Sequence, residues 1–189
     1  MRVLIALALG GGILAGAAFA EGDAAAGKQV AGMCRTCHGL DGYARIPIAP
    51  HIGGEPADYI SGQLTAFRSG TRTHEMMSVV AVGLSDSQIA DVAAWYASFH
   101  ATATLTADAA GAPEACVVCH GVDGIAVMED VPNLAGETNI YIDTQLKAFR
   151  LGKRVHEVMS VVAQDLTDAE IRAYADWYGA VQLTISPAE

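Results

Sequence analysis

Two short stretches carry residues that could do chemistry: Cys34-Arg35-Thr36-Cys37-His38 and Cys116-Val117-Val118-Cys119-His120. Both read C-x-x-C-H, the attachment pattern of a c-type haem. Two thiols three positions apart on a helical turn can each form a thioether with a haem vinyl carbon. The adjacent histidine then lies under the iron and supplies the proximal imidazole. Cys34, Cys37, Cys116 and Cys119 are thus expected to attach two haem c groups, with His38 and His120 as axial ligands. A thioredoxin-type C-x-x-C would not require a following histidine twice, and no βαβ pattern surrounds either pair. A zinc site would need both pairs to meet at one metal. Attachment uses all four thiols, so no disulfide is expected.

The second axial ligand separates carriers from catalysts, because a six-coordinate iron has no substrate position. An internal repeat narrows the choice. The offset of 82 between the cysteine pairs also maps Gly54 to Gly136, Tyr59 to Tyr141, Arg72 to Arg154, Met77 to Met159 and Trp95 to Trp177. Among potential ligands, His74 recurs as His156 and Met77 as Met159, whereas Met33, Met76 and Met128 have no methionine counterpart. Met77 and Met159 are favoured, since each sits in an apolar run, Met-Ser-Val-Val-Ala, suited to the dry wall of a haem pocket. His74 and His156 stand among Arg and Glu and form the alternative. His51 and His100 have no histidine counterpart and are expected at the surface. Tyr59/Tyr141, Gln63/Gln145, Arg68/Arg150 and Arg72/Arg154 are candidates to hold haem carboxylates, with ordinary surface pairing as the alternative.

The elements that must position these residues read as helices. Ser85 with Gln88, and Thr167 with Glu170, fit capping boxes. Ile89, Val92, Ala93 and Tyr96 follow at helical spacing, as do Ile171, Tyr174, Ala175 and Tyr178. Ile60, Leu64 and Phe67 mark a middle helix, with Ile142, Leu146 and Phe149 in the second copy. A short helix is expected before each cysteine pair. No alternating strand stands out, and residues 98–113 are expected to contain the linker and the first helix of the second copy. The expected fold class is all-α, two small helical domains each built around one covalently bound haem, at residues 21–104 and 105–189.

Near the start of the 189 residues stand the positive Arg2, an apolar run at 3–17 and the small-residue site Ala18-Phe19-Ala20. That layout predicts a cleaved signal peptide at residues 1–20, with a retained membrane anchor as the rival that the short apolar run and the small-residue site disfavour. The net charge is −10, and it is uneven. Residues 21–104 carry eight acids and five bases, residues 105–189 thirteen acids and five bases. This surface disfavours nucleic acid and anionic membrane; steering of a basic partner and an ordinary acidic surface are the two readings it leaves.

Taken together, these residues resemble the dihaem cytochromes of the cytochrome c4 family. The resemblance rests on C-x-x-C-H-G-x-D-G at 34–42 and 116–124, on Pro132-Asn133-Leu134-Ala135-Gly136, on Gln-Leu-x-x-Phe-Arg in both copies, and on a Met seven residues before Leu84 and Leu166. The first copy departs at Pro50-His51-Ile52-Gly53-Gly54, where the Asn and Ala are replaced. The resemblance implies two tandem class I cytochrome c domains with Met77 and Met159 as distal ligands. It also implies a non-enzymatic periplasmic carrier that moves single electrons from a quinol-oxidising complex or dehydrogenase to a terminal oxidase or reductase. Redox proteins are then the donor and acceptor, a monomer is the expected state, and loose membrane association stays open. Two rivals are a haem subunit of a dehydrogenase such as a flavocytochrome, and a haem peroxidase with one open iron.

Overall fold

A computed structural model describes residues 22–188. The leader expected at residues 1–20 lies outside them. The first half contains α1 (Ala24–His38), α2 (Ala57–Ser69), α3 (Met77–Val82), α4 (Asp86–Ala97) and the strand β1 (Phe99–Thr104). The second contains α5 (Glu114–His120), α6 (Asn139–Arg150), α7 (Met159–Gln164), α8 (Asp168–Gly179) and β2 (Gln182–Pro187).

Both expected capping boxes form. Ser85 accepts from the Gln88 amide and Thr167 from the Glu170 amide, while each N3 side chain reaches back to its cap. Pairing two otherwise free donors at each start fixes where α4 and α8 begin. From there the helical spacing buries Ile89, Val92, Ala93 and Tyr96 against Ile60 and Leu64 of α2 and Ala31 of α1. The second core repeats this with Ile142, Leu146, Ile171, Ala175 and Tyr178.

The helices around the cysteines depart from expectation. They contain the cysteine pairs rather than preceding them. In the first copy Asp23 caps α1 by accepting from the Ala25 and Ala26 amides at 2.8 and 3.3 Å. In the second copy Pro113 occupies the position of Ala31, a core residue of α1. Proline lacks an amide hydrogen and disfavours a helical residue before it. Ala112 is accordingly extended, only a short 3₁₀ turn (Ala109–Gly111) precedes it, and α5 starts at Glu114.

A second departure is the β ribbon. No strand was expected, yet β1 and β2 pair antiparallel, with Thr102 opposite Thr184. Phe99, Ala101 and Ala103 face inward while His100, Thr102 and Thr104 are exposed. Alanine is a weak strand former, so this alternation gives little local signal; the partner strand is supplied by the other half. The ribbon packs tightly on the loops before α2 and α6. A Cβ on Gly54 (φ 80°) would lie 2.7 Å from the Ala101 Cβ, and one on Gly136 (φ 66°) 2.7 Å from the Leu183 Cβ.

Tyr96 and Tyr178 tie each last helix to its cysteine turn. Their buried hydroxyls donate to the carbonyls of Gly39 and Gly121, each at 3.1 Å. Tyr178→Phe leaves the Gly121 carbonyl without this partner and is expected to cost about 1–2 kcal/mol. Thermal unfolding of the haem-loaded protein checks this.

Candidate functional site

Cys34 and Cys37 lie among the last five residues of α1, and Cys116 and Cys119 among the last five of α5. Positions three apart share a helix face, so each turn presents two thiols side by side. All four thiols are free and half-buried. Burial raises the Cys34 thiol above its ordinary range, and raises Cys116 to about 11 with a contribution from Cys119.

His38 and His120 end the same helices and are 8% and 7% exposed. Each Nδ1 lies 2.9 Å from a backbone carbonyl, that of Pro50 and of Pro132. A carbonyl only accepts, so Nδ1 carries the proton and Nε2 keeps its lone pair. Burial holds both imidazoles below the usual histidine range, in the neutral form. A neutral ring whose second nitrogen is oriented by a carbonyl is the form that binds a metal. The chain leaves the helix immediately after each ring at Gly39 (φ 73°) and Gly121 (φ 74°), where a Cβ would strike the Tyr43 or Ile125 carbonyl at 2.4 or 2.1 Å.

Met77 and Met159 open α3 and α7 and pack half-buried against the two cores. His74 and His156 are exposed. Their Nδ1 atoms accept the first amides of these helices, those of Met76 and Met77 and those of Val158 and Met159, at 3.2–3.4 Å. Met33, Met76 and Met128 are exposed.

The four candidate polar pairs divide into two kinds. Arg68 and Arg150 donate to the carbonyls of Leu84 and Leu166 and form ion pairs with Asp86 and Asp168. They brace the starts of α4 and α8. Arg72 and Arg154 instead cross between the halves. Arg72 donates to Gln63 and, at 2.9 Å, to Gln145; Arg154 donates to Gln145 at 2.8 Å, to Gln63 at 3.1 Å and to the Tyr59 hydroxyl at 3.2 Å. Each guanidinium stacks 4.5 Å over the phenylalanine of its own half, Phe67 or Phe149. Two cations held by the same amide oxygens repel one another, and among the described residues neither has a carboxylate partner.

His51 corrects an expectation. It is not at the surface but 7% exposed, in the seam between the halves; His100 is exposed. The His51 Nδ1 accepts from the Ala44 amide at 2.9 Å, so its Nε2 carries the proton and donates to the Gly136 carbonyl at 3.0 Å. Its repeat equivalent is Asn133. The Asn133 Oδ1 accepts from the Ala126 amide at 2.9 Å and its Nδ2 donates to the Gly54 carbonyl at 3.1 Å. A neutral imidazole and an amide thus play one role, accepting at home and donating across. The sequence hid this because it shows His51 only as a departure from Asn.

A turn that offers two thiols beside one oriented imidazole, twice over in a helical chain, is the attachment architecture of a dihaem c-type cytochrome. The comparisons place it further. Cytochrome c4 of Pseudomonas aeruginosa is 33% identical over 93% of this chain and 96% of its own length. A thiosulfate dehydrogenase electron acceptor of Thiomonas intermedia is 32% identical over 85% of this chain and 83% of its own. The reduced recombinant cytochrome c4 structure from Pseudomonas stutzeri superposes with a TM-score of 0.74 at 27% identity, over 85% of this chain and all of that one. No family model matches the chain. The chain belongs to the cytochrome c4 family. Its fold is two tandem class I cytochrome c domains, it carries two covalently bound haem c groups, and it is an electron carrier with redox-protein partners.

The imidazole of His51 must stay neutral to accept from Ala44. Burial lowers its pKa, with His38 adding to this, while the Gly136 carbonyl and Asp41 oppose it. A lowered folded pKa gives stability that is full above the ordinary histidine value, about 6.5, and lost as pH falls through the folded value. His51→Asn, which keeps both bonds, is expected to remove this acid limb. Thermal unfolding as a function of pH measures it.

Proposed function

We propose that this chain is a periplasmic carrier with two six-coordinate irons, each held between a histidine and a methionine: His38 with Met77, and His120 with Met159. The cysteines Cys34, Cys37, Cys116 and Cys119 would form the thioethers, dividing the chain into haem domains at 21–104 and 105–189. The observation that carries the reading is the commitment of the rival histidines. His74 and His156 spend Nδ1 on capping α3 and α7 and stand exposed, whereas Met77 and Met159 face the cores.

When bound, each haem supplies a one-electron couple. The protein's own residues do the rest. His38 and His120 present Nε2 with the tautomer fixed by Pro50 and Pro132. As ligands, the Met77 and Met159 thioethers would favour the reduced state and would leave no coordination position for a substrate. Arg72 and Arg154, two adjacent cations without carboxylates, suit the haem carboxylates. Arg68 and Arg150 are occupied elsewhere.

The carrier would take single electrons from a quinol-oxidising complex or a dehydrogenase and pass them to a terminal oxidase or reductase. The likeness to a thiosulfate dehydrogenase electron acceptor favours a dehydrogenase as the donor. It also supports a second reading, a permanent haem subunit of a dehydrogenase complex. A single species at monomer mass under native conditions is the expected result for the carrier; a stable heteromer supports the second reading.

Met77→Ala and Met159→Ala test the ligands. In the oxidised protein each variant is expected to lose part of the weak near-red band of histidine–methionine haem and to lower the potential of one haem. A spectrum unchanged in both variants contradicts the assignment.

A further inference from the structure

The seam holds two acids that electron carriage leaves unused. Glu55 and Glu137 are repeat equivalents, placed just before α2 and α6, and they are 5% and 3% exposed. Both oxygens of Glu55 accept from the backbone amide of Asn133, at 3.1 and 3.0 Å. Glu137 is faced by the backbone amides of His51 and Thr138. Because His51 is the counterpart of Asn133, each acid reaches across to the other half's loop. The crossing is not fully symmetric, for among the described residues the Glu137 Oε2 has no hydrogen-bond partner.

Charge makes this arrangement demanding. The titratable groups facing the pair are the two acids themselves, the neutral His51 ring on the Gly136 carbonyl, and Tyr141, which Arg72 and Arg154 also face. Among the described residues neither acid has an ion-pair partner. Two ionised carboxylates buried together without a cation are strongly disfavoured, and one of them takes a proton instead. Burial raises Glu55 to about 8 and Glu137 well above the ordinary carboxylate range, with repulsion from Glu55 adding to the latter. An ionised carboxylate only accepts hydrogen bonds, so a proton would also give the orphaned Oε2 a donor's role.

We propose that Glu55 and Glu137 act as a proton-holding pair that positions the two haem domains: the pair keeps a proton at neutral pH, and releasing it in alkali loosens the seam. The proton comes from and returns to solvent. The folded protein binds it more tightly than the unfolded chain does. The stability it confers is therefore full below the ordinary glutamate range and lost as pH rises through about 8. This limb has the opposite sign to that of His51, so the domains dock best between the two. The inference goes beyond electron carriage and does not depend on the axial ligands.

Two measurements on the full-length, haem-loaded protein test it. Infrared spectra in H2O and D2O are expected to show at pH 7 the deuterium-sensitive carbonyl band of an un-ionised carboxylic acid. The band should fade in alkali and weaken in Glu55→Gln and in Glu137→Gln. Hydrogen exchange at the Asn133 and His51 amides, corrected for the intrinsic rate, is expected to lose protection in the wild type as pH rises from the ordinary glutamate range to about 8, and to level off beyond it. The Gln variants should hold protection about tenfold higher there, the change that one unit of titration gives. No band at pH 7, a band that persists in both variants, or a loss of protection unchanged in both overturns the proposal. Should neither variant fold, the wild-type infrared band decides it alone. None of these outcomes touches the near-red band, so the ligand reading stands or falls separately.

Discussion

The site depends on one hydrogen bond made twice, from a histidine Nδ1 to the carbonyl twelve residues later. It connects the end of the cysteine helix to the loop that enters the seam. It fixes the tautomer, and with it which nitrogen is left to bind a metal. Burial keeps the ring neutral, and the positive-φ glycine after it lets the chain turn away at once. Tyr96 and Tyr178 then hold the same glycine carbonyls from the last helix of each half. The hydrophobic cores beneath supply the rigidity that makes so small a set of polar contacts decisive.

The same loops make the chain one molecule rather than two beads. Residue 50 or 132 serves the histidine, and the next residue, His51 or Asn133, bonds across to the other half. The positioning of each imidazole is thereby continuous with the docking of its neighbour. The Arg72–Gln145 and Arg154–Gln63 crossing and the β1–β2 ribbon close the seam at other points. A repeat of this kind yields near-symmetry, and its exceptions are informative. His51 keeps the hydrogen bonds of Asn133 with different chemistry, so this position is titratable in one half and not in the other.

Much of this was legible in the residues. C-x-x-C-H specified two haem attachments, and the repeat singled out Met77 and Met159 as the proposed distal ligands over the unpaired methionines. The capping boxes and the Ile60/Leu64/Phe67 spacing gave helices where they stand. What escaped was long-range. The ribbon of Phe99–Thr104 with Gln182–Pro187 joins two short strands across the whole second half. His51 looked like a surface residue because its acceptor, the Gly136 carbonyl, is 85 positions away. Arg68 and Arg72 looked alike until Asp86 and Leu84 claimed one of them. Nothing in the sequence around Glu55 and Glu137 reports their burial against the other half.

The central claim is that both haems are closed, one-electron centres in a carrier. A coulometric reductive titration of the native protein, followed by exposure of the reduced form to carbon monoxide, tests this most directly. Two C-x-x-C-H motifs with two six-coordinate irons predict two electrons per chain and no rapid carbon monoxide binding. Uptake of one electron, or fast binding at either iron, would contradict it.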